Sequence, residues 1–381
     1  MKLHEYQTKR IFAGYDIPIP QGQVVTTPTE AKAIAQQLGG QVVVKSQVLA
    51  GRCRKAGGIK IAHTPDEAYA YAQYLLGRPI MGQIVHKVLL EKAIEVEEEF
   101  YLALMIDRAA YKPVLIGSTE DVMAIDGVAR APAKIMARQV IDPLLGLHNF
   151  EARNIGFDLG LRRSLITEFM TIIQGLHHAF SKNDASMVEL NPLALTPTGN
   201  FVAIGARMDL DDDALFRHPQ LAQQRDPHEE TEIERLARET GVDYLKLNGN
   251  IGCIANGAGL AMATIDLLKH YGGEPANFLD LGDDAHADKV GTALYMNLID
   301  PQVQVVFCNI FGNTTQCDEV AKGILAARQL IDIPMPIVVR MTGLYEHEGR
   351  QILAEAGIQS SRSLSQSVRQ AIALTTERLA I

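Results

Sequence analysis

A lysine followed by a glycine-rich basic loop is the first feature of this sequence that could do chemistry. Residues 42–44 are three consecutive valines, which predict a buried strand, and Lys45 stands near its end. The loop at residues 51–58 mixes glycines with cations, including Arg52 and Arg54. Glycines let backbone amides approach an anion and lysine supplies a point charge, so the pattern predicts a phosphate site. A solvated basic turn remains the alternative, because the sequence lacks a P-loop or G-x-G-x-x-G pattern.

Two side chains with oxygen atoms could hold a divalent cation. Residues 187–195 and 201–205 flank a five-residue turn at 196–200, which predicts a β-hairpin. Glu189 and Asn191 stand two residues apart and therefore share one face of the first strand. Carboxylate and amide oxygens are ligands that hard cations prefer. Taken alone, however, a carboxylate at a strand end is more often simply exposed to solvent.

Three polar loops each follow a predicted strand in the second half of the chain. They are residues 256–259, 282–286 and 311–315. Strands and helices alternate strictly in this half, and β-α-β order predicts a parallel, doubly wound sheet. Because ligands of such sheets bind beyond the carboxyl ends of the strands, these loops are candidates for a ligand site.

The elements of the first half are more mixed. The sequence predicts a short helix over residues 3–13, then strands and helices in turn, and a helical pattern between about 120 and 182. Residues 207–240 are rich in acidic side chains and indicate a polar connector that contains the domain boundary. We therefore predict one domain over residues 1–236 and a second over 240–381.

Composition limits the classes of function. The chain has 381 residues, of which 47% are hydrophobic and 21% charged, as expected of two or three globular domains. No stretch reaches the roughly 18 apolar residues of a membrane span, so we expect a cytoplasmic protein without a membrane partner. The net charge of -9 and the absence of tryptophan argue against nucleic-acid binding. The four cysteines form no C-x-x-C pair and are expected to be reduced.

Long collinear segments resemble one enzyme family. They include LHEYQ at residues 3–7, NGNIGC at 248–253 with NGAGLAM at 256–262, GGEPANFLD at 272–280, and NIFG at 309–312. On these residues the chain resembles the beta subunit of succinyl-CoA synthetase, an ADP- or GDP-forming acid–CoA ligase of the tricarboxylic acid cycle. The resemblance implies an α/β fold, with an ATP-grasp N-terminal region followed by a flavodoxin-like doubly wound parallel-sheet domain. It also implies an alpha-subunit partner that binds CoA and carries a phosphorylated histidine.

Several functional residues of the family have counterparts here. The resemblance makes Lys45, Glu91 and Glu99 nucleotide-binding residues. It makes Glu189 the catalytic glutamate that faces the partner's phosphohistidine, and Asn191 a magnesium ligand. In the second half, Asn256 matches an asparagine of the acid-binding site.

Neighbouring positions depart from the family in the first half. Where the family has Gly-Gly-Arg-Gly-Lys over the phosphates, this chain has Gly51-Arg52-Cys53-Arg54-Lys55. Arg52 and Arg54 either clamp the phosphates as guanidinium groups or fill space that backbone needs, and we favour the clamp. Where the family has a second magnesium-binding aspartate, this chain has Gly205.

The second half departs at its loops as well. A family Gly-Gly-Gly-Ala becomes residues 282–285, which place two carboxylates at a helix entrance. A family loop of glycine and two aliphatic residues becomes Asn313, Thr314 and Thr315, which would contact the acid. Its greater polarity permits a hydroxylated acid such as malate. A family Glu-Gly-Asn becomes residues 342–344.

Three functions agree with this pattern. The first is a ligase subunit that uses ATP and Mg²⁺ to phosphorylate a histidine on an alpha partner, and then forms an acyl-CoA from a small dicarboxylic acid, succinate or malate-like. The second is a catalytically degenerate paralogue that acts as a regulatory or assembly subunit. The third, another ATP-grasp carboxylate ligase, is disfavoured by the match in the second half.

Overall fold

The structure is a computed structural model that describes residues 1–49, 53, 55–119, 136–228, 230–330 and 335–378. Its chain divides into two compact units, Met1–Glu229 and Glu230–Ile381. No helix in the described part of the chain is both long and apolar enough to span a membrane.

The first unit contains two main sheets and a short two-stranded ribbon. Its helices are Glu5–Ala13, Pro28–Leu38, Pro65–Leu75, Asn149–Asp158, Ile166–Lys182 and the short Pro219–Ala222, with 3-10 turns at Arg163–Leu165 and Asp212–Arg217. Its strands are β1 (Gly22–Val25), β2 (Val42–Ser46), β3 (Ile59–Ala62), β4 (Pro79–Ile80), β5 (Gln83–Ile84), β6 (Val88–Lys92), β7 (Glu98–Asp107), β8 (Lys112–Ser118), β9 (Met136–Val140), β10 (Ala185–Leu195), β11 (Phe201–Ala203) and β12 (Ala206–Leu210).

The smaller of the two main sheets carries the predicted phosphate loop. It is antiparallel, in the order β1-β6-β2-β3. Helices Pro28–Leu38 and Pro65–Leu75 pack on it, each started by a threonine whose side chain accepts a bond from a backbone amide. Such caps satisfy amides that the first helical turn leaves without a partner.

The larger sheet has the order β11-β10-β7-β8-β9, with β12 also paired to β10. One face is buried against helices Glu5–Ala13, Asn149–Asp158 and Ile166–Lys182. The opposite face carries a small cluster that includes Tyr101 and Ala103. Since side chains alternate along a strand, Glu189 on β10 points away from the neighbouring core residues Val188 and Leu190.

The second unit confirms the predicted parallel sheet. Its order is β13-β15-β14-β16-β17-β18, and every neighbouring pair is parallel except β13 with β15. Different helices pack on the two faces of the sheet and form two separate buried clusters, as a doubly wound fold requires. The strands are β13 (Asp243–Lys246), β14 (Ile251–Ala255), β15 (Asn277–Asp280), β16 (Val305–Gly312), β17 (Ile337–Gly343) and β18 (Ser360–Ser361). The helices are Glu232–Thr240, Ala258–His270, Ala287–Leu298, Cys317–Leu330, Glu346–Glu355 and Leu364–Arg378.

Two predictions about the first half are wrong. The helical pattern expected between 120 and 182 contains strand β9, and residues 120–135 lie outside the described residues. The predicted polar connector 207–240 begins inside strand β12, where Met208 and Leu210 are buried. The acidic side chains between and after them hide this two-residue alternation, and pairing with β10 decides the structure instead.

Candidate functional site

Lys45 lies in a buried cluster of charges in the first unit. Its ammonium Nζ is 2.8 Å from Glu5 Oε1, 2.9 Å from Glu91 Oε2 and 2.6 Å from the Ile204 carbonyl oxygen. Lys9 has the same partners: its Nζ is 2.8 Å from Glu5 Oε1, 2.6 Å from Glu91 Oε1 and 2.6 Å from the Ile204 carbonyl. We call Glu5, Lys9, Lys45 and Glu91 the charge quartet. Two ammonium groups and two carboxylates therefore balance each other around one backbone carbonyl.

Local sequence explains how the quartet assembles. Glu5 and Lys9 are separated by one helical turn at the start of the first helix, so their side chains lie on one face. Lys45 and Glu91 lie on the adjacent antiparallel strands β2 and β6. Gly22 on β1 faces Glu91, and a Cβ at position 22 would come within 2.7 Å of Glu91 Cγ. Glycine at this position leaves room for the glutamate side chain.

The quartet shifts the ionisation of its members. Burial by itself raises the pKa of Glu5, but the ammonium groups of Lys45 and Lys9 outweigh burial and lower it to about 2. Burial opposes the charge of Lys45, yet the carboxylates of Glu5 and Glu91 raise the pKa of that lysine above its ordinary value. For Lys9, burial has the largest effect and lowers the pKa. Glu5 and Lys45 are thus both held in the charged form at neutral pH.

Of the other residues expected to bind nucleotide, Glu91 belongs to the charge quartet and Glu99 lies on β7 of the larger sheet. Glu99 is exposed on β7, one position before the core residue Phe100. It therefore lies on the same face of the larger sheet as Tyr101, which is two residues further along the strand. Arg52 and Arg54, expected to clamp phosphates, belong to the residues that the structure does not describe.

Glu189 lies on the same face of the larger sheet as Ala103, its partner on β7, and is held by its neighbour Asn191. Asn191 Nδ2 donates to Glu189 Oε1 at 2.9 Å. Burial raises the pKa of the Glu189 carboxyl, against the opposing effects of this hydrogen bond and of the nearby Arg207 guanidinium. Arg207 sits directly opposite Glu189 in the β10–β12 register and forms a two-pronged ion pair with Asp209, at 2.7 and 3.3 Å.

The residues present do not fit a magnesium site made by protein ligands. Glu189 and Asn191 provide oxygens, but the carboxylate of Asp209, a conceivable third ligand, is engaged by Arg207. Gly205 has no side chain, and a Cβ there would lie 1.9 Å from the Asn191 carbonyl oxygen. Within the described residues, no group of three or more His, Cys, Asp or Glu side chains could hold a metal ion. Magnesium needs near-octahedral oxygen coordination, which this pair alone cannot complete.

The loops at the carboxyl ends of the parallel strands form a second candidate site, within the second unit. Asn256 follows β14 and joins the loop after β16. Its Nδ2 donates to the Phe311 carbonyl at 2.9 Å, and its Oδ1 accepts from the Phe311 amide at 2.8 Å. A longer contact, 3.5 Å, runs from Nδ2 to Thr315 Oγ1. Both hydrogens of the Asn256 amide are therefore used to fix the loop that was expected to bind the acid.

Thr314 and Thr315 join this loop to the one after β15. Their hydroxyls donate to the Asp283 backbone carbonyl at 2.5 and 2.9 Å. Thr315 is buried, whereas Asn313 and Thr314 are exposed. The structure therefore brings together the loops of Asn256, Asp283 and Asn313–Thr315, but it gives the threonine hydroxyl protons to a backbone carbonyl.

The carboxylates of residues 283 and 284 precede a helix instead of lying in its first turn. The helix begins at Ala287, with His286 as the capping residue. The Asp283 carboxylate lies near Gly257, 3.9 Å from where a Cβ would stand. The Asp284 carboxylate is 3.5 Å from the Lys289 ammonium. One acid therefore approaches the loop after β14, and the other approaches a lysine of the helix.

The loop after β17 packs against the loop after β16. The Leu344 amide donates to the Gly312 carbonyl at 3.0 Å, and the Cys317 amide donates to the Leu344 carbonyl at 3.0 Å. Gly343 has φ 114°, and a Cβ there would meet the Gly312 carbonyl oxygen at 2.0 Å, so only glycine fits. Tyr345 adopts φ 56° in the left-handed region, which is strained for a bulky residue.

Two family models match the chain in the same order as these units. The one described as an ATP-grasp domain matches residues 2–195, and the one described as CoA-ligase matches residues 254–374. The chain is 46% identical over 379 residues to the "Succinate--CoA ligase [ADP-forming] subunit beta" of Roseiflexus sp. (strain RS-1), covering 99% of this chain and 100% of that relative. The chain is a member of the succinate–CoA ligase beta-subunit family.

Other comparisons agree with this membership. A subunit of the same description from Nautilia profundicola is 41% identical over 384 residues, covering 98% of each chain. Among solved structures, ATP citrate lyase from Methanothrix soehngenii, in complex with citrate and coenzyme A, superposes with a TM-score of 0.73 at 19% identity. That similarity covers 98% of this chain and 99% of the other, and it shows the shared fold. The predicted ATP-grasp and CoA-ligase fold, and an acid–CoA ligase family, are thereby confirmed.

Sequence reasoning missed two members of the charge quartet, Glu5 and Lys9. Their spacing of four residues is a signal that was present, but the same spacing is common on exposed helical surfaces. It also missed the ion pair of Arg207 with Asp209. The two residues lie on one face of β12, and the acidic residues that follow hide the alternation of that strand.

Proposed function

We propose that the chain is the nucleotide-binding beta subunit of an ADP-forming acid–CoA ligase that acts on a small dicarboxylic acid, succinate or malate-like. The observation that supports this most is the match to succinate–CoA ligase beta subunits along nearly the whole chain. In this proposal ATP phosphorylates a histidine of an alpha subunit, the phosphoryl group passes to the acid, and CoA displaces it. The alpha subunit also binds CoA.

The proposed roles of the nucleotide-binding residues follow from the resemblance to the family. Lys45 contacts the nucleotide phosphates, with Arg52 and Arg54 from the adjoining loop, while Glu91 and Glu99 line the nucleotide site. Arginine and lysine supply charge-assisted hydrogen bonds to phosphate, which are stronger than neutral ones.

Glu189 is the proposed catalytic residue that receives the partner's histidine. Its Oε1 is already bound by Asn191, which leaves Oε2 to accept a hydrogen bond from an imidazole N–H. Because burial raises the pKa of this carboxyl, it can also hold a proton more readily than an exposed glutamate. The pair would orient a histidine through Oε2, and the ionised carboxylate would balance the charge of an imidazolium.

We infer that magnesium reaches this site on the nucleotide. Asn191 would supply a protein oxygen, and phosphate oxygens would supply further ligands. Position 205 supports this inference: it has no space for a Cβ, so the chain offers no second acidic ligand there and the nucleotide would have to supply the missing oxygens.

The acid is proposed to bind at the loops after β14 and β16. Asn256 and Thr315 hold these loops in place through the bonds described above. Asn313 and Thr314 are exposed on the same loop. The Asn313 amide can donate to the acid, and Thr314, whose hydroxyl proton is donated to the Asp283 carbonyl, would line the site beside it.

Phosphoryl transfer to the alpha subunit tests this proposal. The chain and its alpha subunit would be incubated with ATP and magnesium, without acid, and the phosphohistidine measured by mass spectrometry. We expect ADP and phosphorylated alpha subunit in equal amounts, loss of the phosphate from histidine once acid is added, and acyl-CoA with free phosphate only when CoA is added as well. Glu189→Gln should slow the transfer, whereas Glu239→Gln, at an exposed ion pair, should not. Bound ATP with no transfer would instead support the non-catalytic paralogue, which the similarity to named ligases does not favour.

A further inference from the structure

Every hydrogen-bond donor of the Lys45 ammonium is already used inside the protein. An ammonium group has three N–H donors. Lys45 gives them to Glu5 at 2.8 Å, Glu91 at 2.9 Å and the Ile204 carbonyl at 2.6 Å. A nucleotide phosphate can therefore bind Lys45 only if one of these partners is released.

Glu5 is the partner best placed to be released. Its side chain is 21% exposed, against 3% for Glu91, so a ligand that enters from solvent meets Glu5 first. Glu91 is bound by Lys9 through both oxygens, at 2.6 and 2.8 Å, and by Lys45 as well. If Lys45 moved away from Glu91, this buried carboxylate would lose one of its two cationic partners and could not replace it with water.

Lys9 is placed to hold Glu5 after such a release. Its Nζ is 2.8 Å from the same Glu5 Oε1 that contacts Lys45. Lys9 also has the carboxylate of Glu91 and the Ile204 carbonyl as acceptors, a set that requires the protonated ammonium form. Glu5 would therefore keep a cationic partner when Lys45 turns to a phosphate.

We propose that Glu5 occupies the place of a nucleotide phosphate on Lys45, and that Lys9 is the positioning residue that retains Glu5 and Glu91 when the phosphate arrives. This inference rests on the proposed function, because it assumes that Lys45 contacts the nucleotide. Lys9 itself does not touch the phosphate. Lys9 acts by binding the two carboxylates, so that Lys45 can exchange Glu5 for the phosphate.

The balance of charge in the quartet predicts opposite changes of nucleotide affinity for substitutions at Glu5 and at Lys9. Glu5→Gln removes the competing carboxylate and leaves one excess positive charge, so nucleotide affinity should rise. Lys9→Met leaves one excess negative charge beside Lys45, which then has to hold both carboxylates, so affinity should fall. A merely structural role for both residues would lower affinity in both variants, because each change disrupts the same buried cluster.

Calorimetric titration of ATP with magnesium into the full chain tests this. We expect Glu5→Gln to bind about tenfold more tightly than the unmodified chain and Lys9→Met about tenfold more weakly, each near the free energy of one charge-assisted hydrogen bond. Lys9→Arg should restore most of the affinity, since it keeps the positive charge. Lys32→Met makes the same chemical change at an exposed ion pair with Asp66 and should leave affinity unchanged.

A second variant guards against loss of folding in Glu5→Gln. Glu5→Asp keeps the charge but shortens the side chain, which draws the carboxylate away from Lys45, and it should also strengthen ATP binding. Equal or weaker binding by folded Glu5→Gln and Glu5→Asp would overturn the inference and leave the proposed function standing. An unmodified chain that binds no ATP would overturn both.

Discussion

A side chain at position 205 is expected to destabilise the hairpin instead of restoring a metal ligand. A Cβ on Gly205 would lie 1.9 Å from the Asn191 carbonyl oxygen and 2.6 Å from its carbon. Both are backbone atoms, so they cannot rotate away as a flexible side chain would. The backbone itself must move in Gly205→Ala or Gly205→Asp.

Movement at Gly205 disturbs several bonds at once. The Asn191 amide donates to the Gly205 carbonyl at 3.0 Å, and the Gly205 amide donates to the Pro192 carbonyl at 3.2 Å. The preceding carbonyl of Ile204 accepts from both lysines of the charge quartet. Overpacking costs about 1–3 kcal/mol and a weakened hydrogen bond about 0.5–1.5 kcal/mol, so we expect a loss of roughly 2–4 kcal/mol.

Urea denaturation followed by circular dichroism measures this loss. With a denaturant slope of about 2–3 kcal/mol/M, the midpoint of Gly205→Ala should fall by roughly 1 M. Gly259→Ala is the matched control, because a Cβ there has no atom within 4 Å and the residue lies in helix Ala258–His270. That control should keep or raise the midpoint.

Two results would contradict this reasoning. Gly205→Ala with the stability of the unmodified chain would show that the hairpin adjusts without strain. Gly205→Asp that gains magnesium affinity in calorimetry, with no loss of stability, would show that the metal position is open.

Three further predictions concern other parts of the two sites. Because the folded-state pKa of Glu5, about 2, lies below its ordinary 4.5, its charge stabilises the fold above pH 4.5. This contribution is lost as pH falls from about 4.5 to about 2, so the urea midpoint of Glu5→Gln should depend less steeply on pH below 5 than that of the unmodified chain. Thr315→Val removes the donor to the Asp283 carbonyl and should speed hydrogen exchange in residues 311–316, with about 1 kcal/mol lost; unchanged exchange would count against a holding role. Tyr345→Gly should raise stability by about 0.5–1 kcal/mol by relieving the left-handed backbone, and a lower unfolding midpoint would show that the tyrosine makes stabilising contacts instead.

The second half of the fold could be predicted from the sequence because its signal is local and repeated. Strands and helices alternate there, and each strand is a short apolar run followed by a polar loop. Parallel strands bring such loops to one edge, which is why Asn256, Asp283 and Thr315 meet although they are far apart in sequence. The exception is β13, an edge strand with little burial, which pairs antiparallel with β15.

The partners of Lys45 could not be predicted from the sequence. Glu5 lies 40 residues before Lys45 and Glu91 lies 46 residues after it. No local sequence pattern predicts that these separate elements converge on one ammonium group. The sequence also does not reveal whether glycine at position 205 marks a lost metal ligand or is required because a side chain would collide with neighbouring backbone. Only the approach of Asn191 to that backbone distinguishes the two.

Matching a functional residue type is therefore weaker information than knowing which of its hydrogen bonds are still available. Lys45 and Asn256 both match residues of the family's sites, yet the structure uses the donors of Lys45 on carboxylates and the amide of Asn256 on a neighbouring loop. The two cases differ in their consequence. Asn256 both donates to and accepts from the backbone of Phe311, so these bonds fix the loop after β16. Lys45 faces the partly exposed carboxylate of Glu5, and Lys9 lies beside that carboxylate as a second cation. In the proposed exchange, Lys45 gives up its charged contact with Glu5 and gains a charged contact with the phosphate.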